Sequence, residues 1–92
     1  MEEKILYKIN VTGYVQGVGF RWSAAREAWK REITGFVKNM PDGSVYIEAE
    51  GTREQLSEFA SWCRQGPGRG FVDNAEVIEG KPAGYREFRI EH

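Results

Sequence analysis

Nine residues, Gly13 to Arg21 (G-Y-V-Q-G-V-G-F-R), separate two different periodicities and force the chain to turn between them. Before them, Ile5, Tyr7, Ile9 and Val11 alternate with Leu6, Lys8, Asn10 and Thr12, which predicts a half-buried strand. After them, Trp22, Ala25, Trp29 and Ile33 recur at helical spacing among Arg26, Lys30 and Arg31. This predicts a helix over about 20–33, with Trp22 and Trp29 in the core and Gly35 at or just past its end. Three glycines in the turn allow positive φ and close approach of a ligand to the backbone. Several N–H groups can then point into one concavity at a helix start, where the dipole favours negative charge. Arg21 adds a planar fork of donors suited to phosphate or carboxylate. A cation there opposes the dipole, the kind of local conflict expected at a functional site. The stretch reads as an anion cradle.

The remaining elements follow from the same reasoning. Phe36 to Met40 is short and apolar-rich, Pro41-Asp42-Gly43 supplies turn chemistry, and Val45, Ile47 and Ala49 alternate, which predicts a β-hairpin. Asp42 and Gly43 read as turn formers with no chemistry. Thr52 to Gln55 has the form of a capping box, followed by Leu56, Phe59, Ala60 and Cys63 on one helical face, until Gly66-Pro67. Phe71 to Ile78 is a strand with imperfect alternation, which leaves a bulge or a shift of face open, and Tyr85 to Glu91 is a final strand. The order β-α-β-β-α-β, with one strand's worth left open within residues 71–90, is the split βαβ, ferredoxin-like arrangement: an α+β domain spanning 1–92, with two helices on one face of an antiparallel sheet. In that arrangement the first strand is expected beside the strand that follows the first helix, so Asn39 falls within reach of Arg21. An amide there can orient a nucleophile without titrating.

Composition closes several routes. Thirteen basic residues against fourteen acidic leave a net charge of −1, with no electrostatic reason to expect nucleic acid or an anionic membrane as partner. The apolar runs are too short to span a bilayer, and the N-terminal M-E-E-K lacks the pattern of a secretory signal. Cys63 is the only cysteine, expected as a packed core thiol in a reducing compartment; a cytoplasmic monomer is the default. His92 is the only histidine and terminal, so neither a His-based triad nor a His-metal cluster is expected inside the domain. The turn lacks the Lys and Ser/Thr of a Walker loop and the third glycine of a dinucleotide fingerprint.

G-Y-V-Q-G-V-G-F-R at 13–21 and G-F-V-K-N-M-P-D-G-S-V at 35–45 resemble the two signature segments of the acylphosphatases. G-P-G-R-G-F-V at 66–72 resembles the family's third, looser loop, with Gly70 where a small Ala is usual, and F-R-I at 88–90 fits its last strand. The resemblance covers essentially the whole chain. It implies hydrolysis of an acyl phosphate to a carboxylate and inorganic phosphate, without metal, cofactor or phospho-enzyme. Carried over by residue, Arg21 binds the phosphate together with the backbone amides of Gln16, Gly17, Val18, Gly19 and Phe20, and Asn39 positions the attacking water. Gln16 is expected to offer only its N–H, its side chain facing solvent. Lys38 and Arg69 are surface charges able to steer an anionic substrate. Inorganic phosphate or sulfate is expected to occupy the cradle as product or inhibitor. Two other readings remain: a module that binds phosphate without turnover, and a domain acting on carbamoyl phosphate inside a larger maturation enzyme.

Overall fold

The computed structural model describes residues 3–92; Met1 and Glu2, the head of the stretch read above for a secretory signal, lie outside the described residues. Seven elements follow one another: β1 (Ile5–Tyr14), α1 (Phe20–Lys30), β2 (Thr34–Asn39), β3 (Val45–Gly51), α2 (Arg53–Gln65), β4 (Phe71–Gly80) and β5 (Phe88–Glu91). They form one five-stranded sheet in the order β4-β1-β3-β2-β5. The helices pack on it, α1 over β2 and β5 and α2 over β1, β3 and β4. The α+β class and the ferredoxin-like order are therefore as expected, with one addition. The sheet is antiparallel except at its edge, where β5 runs parallel to β2, with Gly35 opposite Phe88 and Lys38 opposite Glu91.

One neighbour relation differs from expectation. β1 does not lie beside β2; β3 sits between them, antiparallel to both. The crossover through α1 skips one strand position, and the β2–β3 hairpin folds back to fill it. Asn39 nevertheless reaches the end of the sheet where α1 begins, because Val11 and Asn39 both oppose Val45 from its two sides. Two strand spacings, about 10 Å, separate them.

The core is built from Ile9, Val11, Val37, Val45, Ile47 and Ala49 of the sheet against Phe20, Ala24, Ala25, Ala28, Leu56, Phe59 and Cys63 of the helices, all buried. Burial pushes the Cys63 thiol far up from its ordinary range, so it is an inert packing group. Trp22 and Trp29 are not in the core: they are 55% and 47% exposed. Two helical stripes were available in this segment, and the one rich in alanine turns inward because short side chains let α1 approach the sheet closely. On α2 the capping box forms, with Thr52 Oγ1 accepting from the Gln55 N–H and Gln55 Oε1 from the Thr52 N–H.

α1 also ends three residues earlier than its periodicity suggests. The Ile33 N–H donates to the Ala28 carbonyl and the Glu32 N–H to that of Trp29, a Schellman closure with Glu32 at positive φ (58°). Gly35 is thus not the helix terminator but part of β2. Its φ is 140°, and a Cβ there would lie 1.8 Å from the Glu48 carbonyl oxygen. The imperfect alternation of β4 is a bulge: Thr12 pairs with Asn74 and Gly13 with Val72, passing over Asp73.

β4 and β5 lie at opposite edges of the sheet, so residues 81–87 must cross it. Glu50, 3% exposed, holds this strap by accepting from the successive N–H groups of Ala83, Gly84 and Tyr85. Beside it, Glu48 accepts from the phenols of Tyr46 and Tyr85, both at 2.6 Å. Burial alone would raise the Glu48 carboxyl, but these two donors and the nearby Lys8 and Lys38 hold it below its usual range. The same contact, after burial, pushes Tyr85 up to about 12.

These two backbone positions separate cleanly in a stability measurement. Gly35→Ala is expected to cost more than about 3 kcal/mol, since the backbone carbonyl it meets cannot move without opening the β2–β3 ladder. Glu32→Gly removes a left-handed penalty and should leave urea-unfolding stability within about 1 kcal/mol, on the stabilising side. Equal costs at the two positions would contradict the assignment of their roles.

Candidate active site

The site lies where the C-terminal ends of β1, β2 and β5 meet the start of α1. Val15, buried, follows the last residue of β1, and the chain turns through residues 16–19 into the helix. Gly17 and Gly19 both adopt left-handed φ (78° and 79°), which curls successive N–H groups toward one side. Gly19 stands at the N-cap position, with no side-chain cap and no acidic residue in the first turn of α1. Among the described residues, the N–H groups of residues 16–20 make no backbone hydrogen bond of good distance and angle. The positive end of α1 thus carries unfilled donors, the condition under which a helix start attracts an anion.

Gly17, Gly19, Phe20 and Arg21 line a cavity of about 270 Å³, and Asn39 lines it from the end of β2. Trp22, Ile90 and His92 complete its wall together with Val15. The structure therefore brings Gly17, Gly19, Phe20, Arg21 and Asn39 together around one space. The side chains of Gln16 and Val18 lie outside it.

Gln16 corrects the expectation that its side chain faces solvent. Its Nε2 donates to the Met40 carbonyl (2.8 Å) and to the Ser44 carbonyl (2.9 Å). Those two carbonyls already close the hairpin, accepting from the Gly43 and Met40 N–H groups respectively. The hairpin is stiffened independently by Asp42, whose Oδ1 accepts from the Ser44 N–H and hydroxyl, contacts that lower its carboxyl from the ordinary value. Asp42 is a turn former, as expected. Gln16 thus ties the cradle loop to the turn that follows Asn39.

Two further braces were not evident in the sequence. Arg69 is an exposed charge, as expected, and its Nε also donates to the Val18 carbonyl (3.1 Å), fastening the 66–70 loop onto the cradle. Arg21 is held from the far side by β5. Its Nη1 donates to the Glu91 carbonyl (2.8 Å) and lies 3.3 Å from His92 Nδ1. A carbonyl acceptor offsets part of the conflict between this cation and the helix dipole. Among the described residues no group of three or more His, Cys, Asp or Glu could hold a metal ion, and no helix is long and apolar enough to cross a membrane.

A protein-family model for acylphosphatases matches residues 7–90. This chain belongs to the acylphosphatase family. It is 45% identical over 85 residues to an acylphosphatase of Thermotoga petrophila, covering 92% of this chain and 94% of that protein. The crystal structure of acylphosphatase from Bacillus subtilis superposes with a TM-score of 0.93 at 39% identity, covering 96% of this chain and 99% of that one. The whole of this acylphosphatase-family chain also matches 12% of full-length HypF, solved in a phosphate- and nucleotide-bound form, with a TM-score of 0.89 at 28% identity.

If Gln16 is the tie between loop and hairpin, Gln16→Ala should lose about 1–2 kcal/mol of stability. Amide hydrogen exchange should accelerate in both residues 15–19 and residues 40–44. Acceleration confined to one of the two segments would show that they are not coupled through this side chain.

Proposed function

We propose that this chain hydrolyses acyl phosphates by in-line attack of a water positioned by Asn39, with the phosphate held by Arg21 and the backbone N–H groups of residues 16–20. The observation that carries the reading is the single cavity shared by Gly17, Gly19, Phe20, Arg21 and Asn39. Membership of a family whose relatives are named acylphosphatase supports it independently.

The chemistry suits these residues. Phosphoryl transfer demands mainly positioning and stabilisation of charge on the equatorial oxygens. Unfilled N–H groups, the positive end of α1 and the Arg21 guanidinium are fixed in place before substrate arrives, so stabilising that charge requires little reorganisation. The departing carboxylate has a conjugate acid of pKa about 4 and leaves without a proton, so no general acid is required near neutral pH. The Asn39 side-chain oxygen can accept from a water and aim its lone pair at phosphorus. The water oxygen bonds to phosphorus as the bond to the bridging oxygen breaks. The products are the carboxylate and dihydrogen phosphate, which carries both water hydrogens. As part of the same reading we assign the chain a cytoplasmic location, on the strength of its single buried free cysteine, and a monomeric state as the default.

The test is hydrolysis of benzoyl phosphate and carbamoyl phosphate with EDTA present. Turnover is expected, with inorganic phosphate or sulfate inhibiting competitively. Asn39→Ala should lower kcat by at least about 100-fold while phosphate inhibition persists, since it removes a contact made to the nucleophile alone. Wild-type protein that binds phosphate but turns over neither substrate would make this a binding module. Arg21→Ala should cost about 3–4 kcal/mol in kcat/KM, and Arg21→Lys should recover little of it because a point charge cannot replace a planar fork. A loss below about tenfold would remove Arg21 from the mechanism.

A further inference from the structure

The cradle accounts for the phosphate and leaves the rest of the cavity unassigned. Besides the groups around the phosphate position, the cavity is lined by Trp22 and Ile90, to which the phosphate reading gives no part. We infer that Trp22 and Ile90 form an acyl subsite beside the cradle, and that this subsite selects acyl phosphates with an aromatic or bulky apolar acyl group. The inference rests on the acyl phosphate reading above.

Three observations support it. Trp22 follows Arg21 directly in the first turn of α1 and lines the same cavity, while more than half of its surface is exposed. Its ring also packs against a second indole. Trp29, two turns further along the helix, meets it edge to face, with centroids 5.6 Å apart and planes at 80°. Trp29 is in turn anchored, its Nε1 donating to the Phe88 carbonyl at 3.0 Å. Phe88 itself is buried, and two residues along the same strand Ile90 lines the cavity. The aromatic wall and the aliphatic wall are thus fixed to one strand, β5, which also supplies the Glu91 carbonyl that holds Arg21. A supported ring loses little freedom when a ligand packs against it, which is why such surfaces discriminate among ligands.

Burying one face of a phenyl ring is enough for a measurable preference. The probes are phenacylphosphonate and acetonylphosphonate, in which a methylene replaces the bridging oxygen of benzoyl phosphate and acetyl phosphate. Neither can be hydrolysed at that bond, so binding is measured apart from turnover. By calorimetry the wild type is expected to bind phenacylphosphonate about tenfold more tightly than acetonylphosphonate. The ratio should fall to about twofold in Trp22→Ala and return toward the wild-type value in Trp22→Phe, which keeps an aromatic face. A wild type that does not favour phenacylphosphonate, or a ratio unchanged in Trp22→Ala, overturns the inference. Absence of benzoyl phosphate hydrolysis alongside a Trp22-dependent ratio would overturn the hydrolytic reading and leave the subsite standing.

Discussion

The Gln16 amide is the contact on which the geometry of the site depends. Because β3 separates β1 from β2, the loop that carries the N–H groups and the strand that carries Asn39 share no ladder of hydrogen bonds. Their relative position is set by the register of β3 against each and by the two bonds that Gln16 makes to the hairpin carbonyls. Each such bond contributes only about 1 kcal/mol to stability. Its larger effect is on placement, since a shift of an ångström between nucleophile and phosphate would be costly to a reaction that relies on alignment.

The other half of the site depends on the far end of the chain. Arg21 lies at the positive end of α1, where a cation is disfavoured, and its acceptor is a carbonyl of β5. β5 reaches that place because the strap from β4 is held to the sheet by Glu50, a buried carboxylate satisfied by three successive backbone donors. Removing the acceptor would release three backbone donors at once and free the strap from the sheet, each bond being worth about 1 kcal/mol. The Trp29 bond to Phe88 fixes the same strand from the helix side. Cradle, guanidinium and aromatic wall therefore converge through β5 as well as through α1.

Much of this was legible in the sequence, for identifiable reasons. Alternation in β1 and β3, the Thr52–Gln55 capping box and the Pro41-Asp42-Gly43 turn are local signals, and each forms as read. The glycines of the cradle announced a backbone that only glycine adopts comfortably, and Arg21 and Asn39 do line one cavity. What the sequence concealed is what depends on distant backbone atoms. The acceptors of Gln16, Arg21 and Arg69 are all main-chain carbonyls, which carry no sequence signature, at separations of 24 to 70 residues. The inward face of α1 was misread because two stripes share one period and only packing against the sheet chooses between them. Gly35 was misread because a glycine after a helix suits a terminator and a strand crossing equally, and Glu32 had taken the left-handed position first.

The central claim is that the cradle presents phosphorus, and not the acyl carbon, to water. Hydrolysis of benzoyl phosphate in ¹⁸O-labelled water tests this directly, with mass analysis of both products. The account predicts one labelled oxygen in inorganic phosphate and none in benzoate. Label in benzoate would mean that water attacks the carbonyl, and that the N–H groups, Arg21 and Asn39 do not act together on the phosphoryl group.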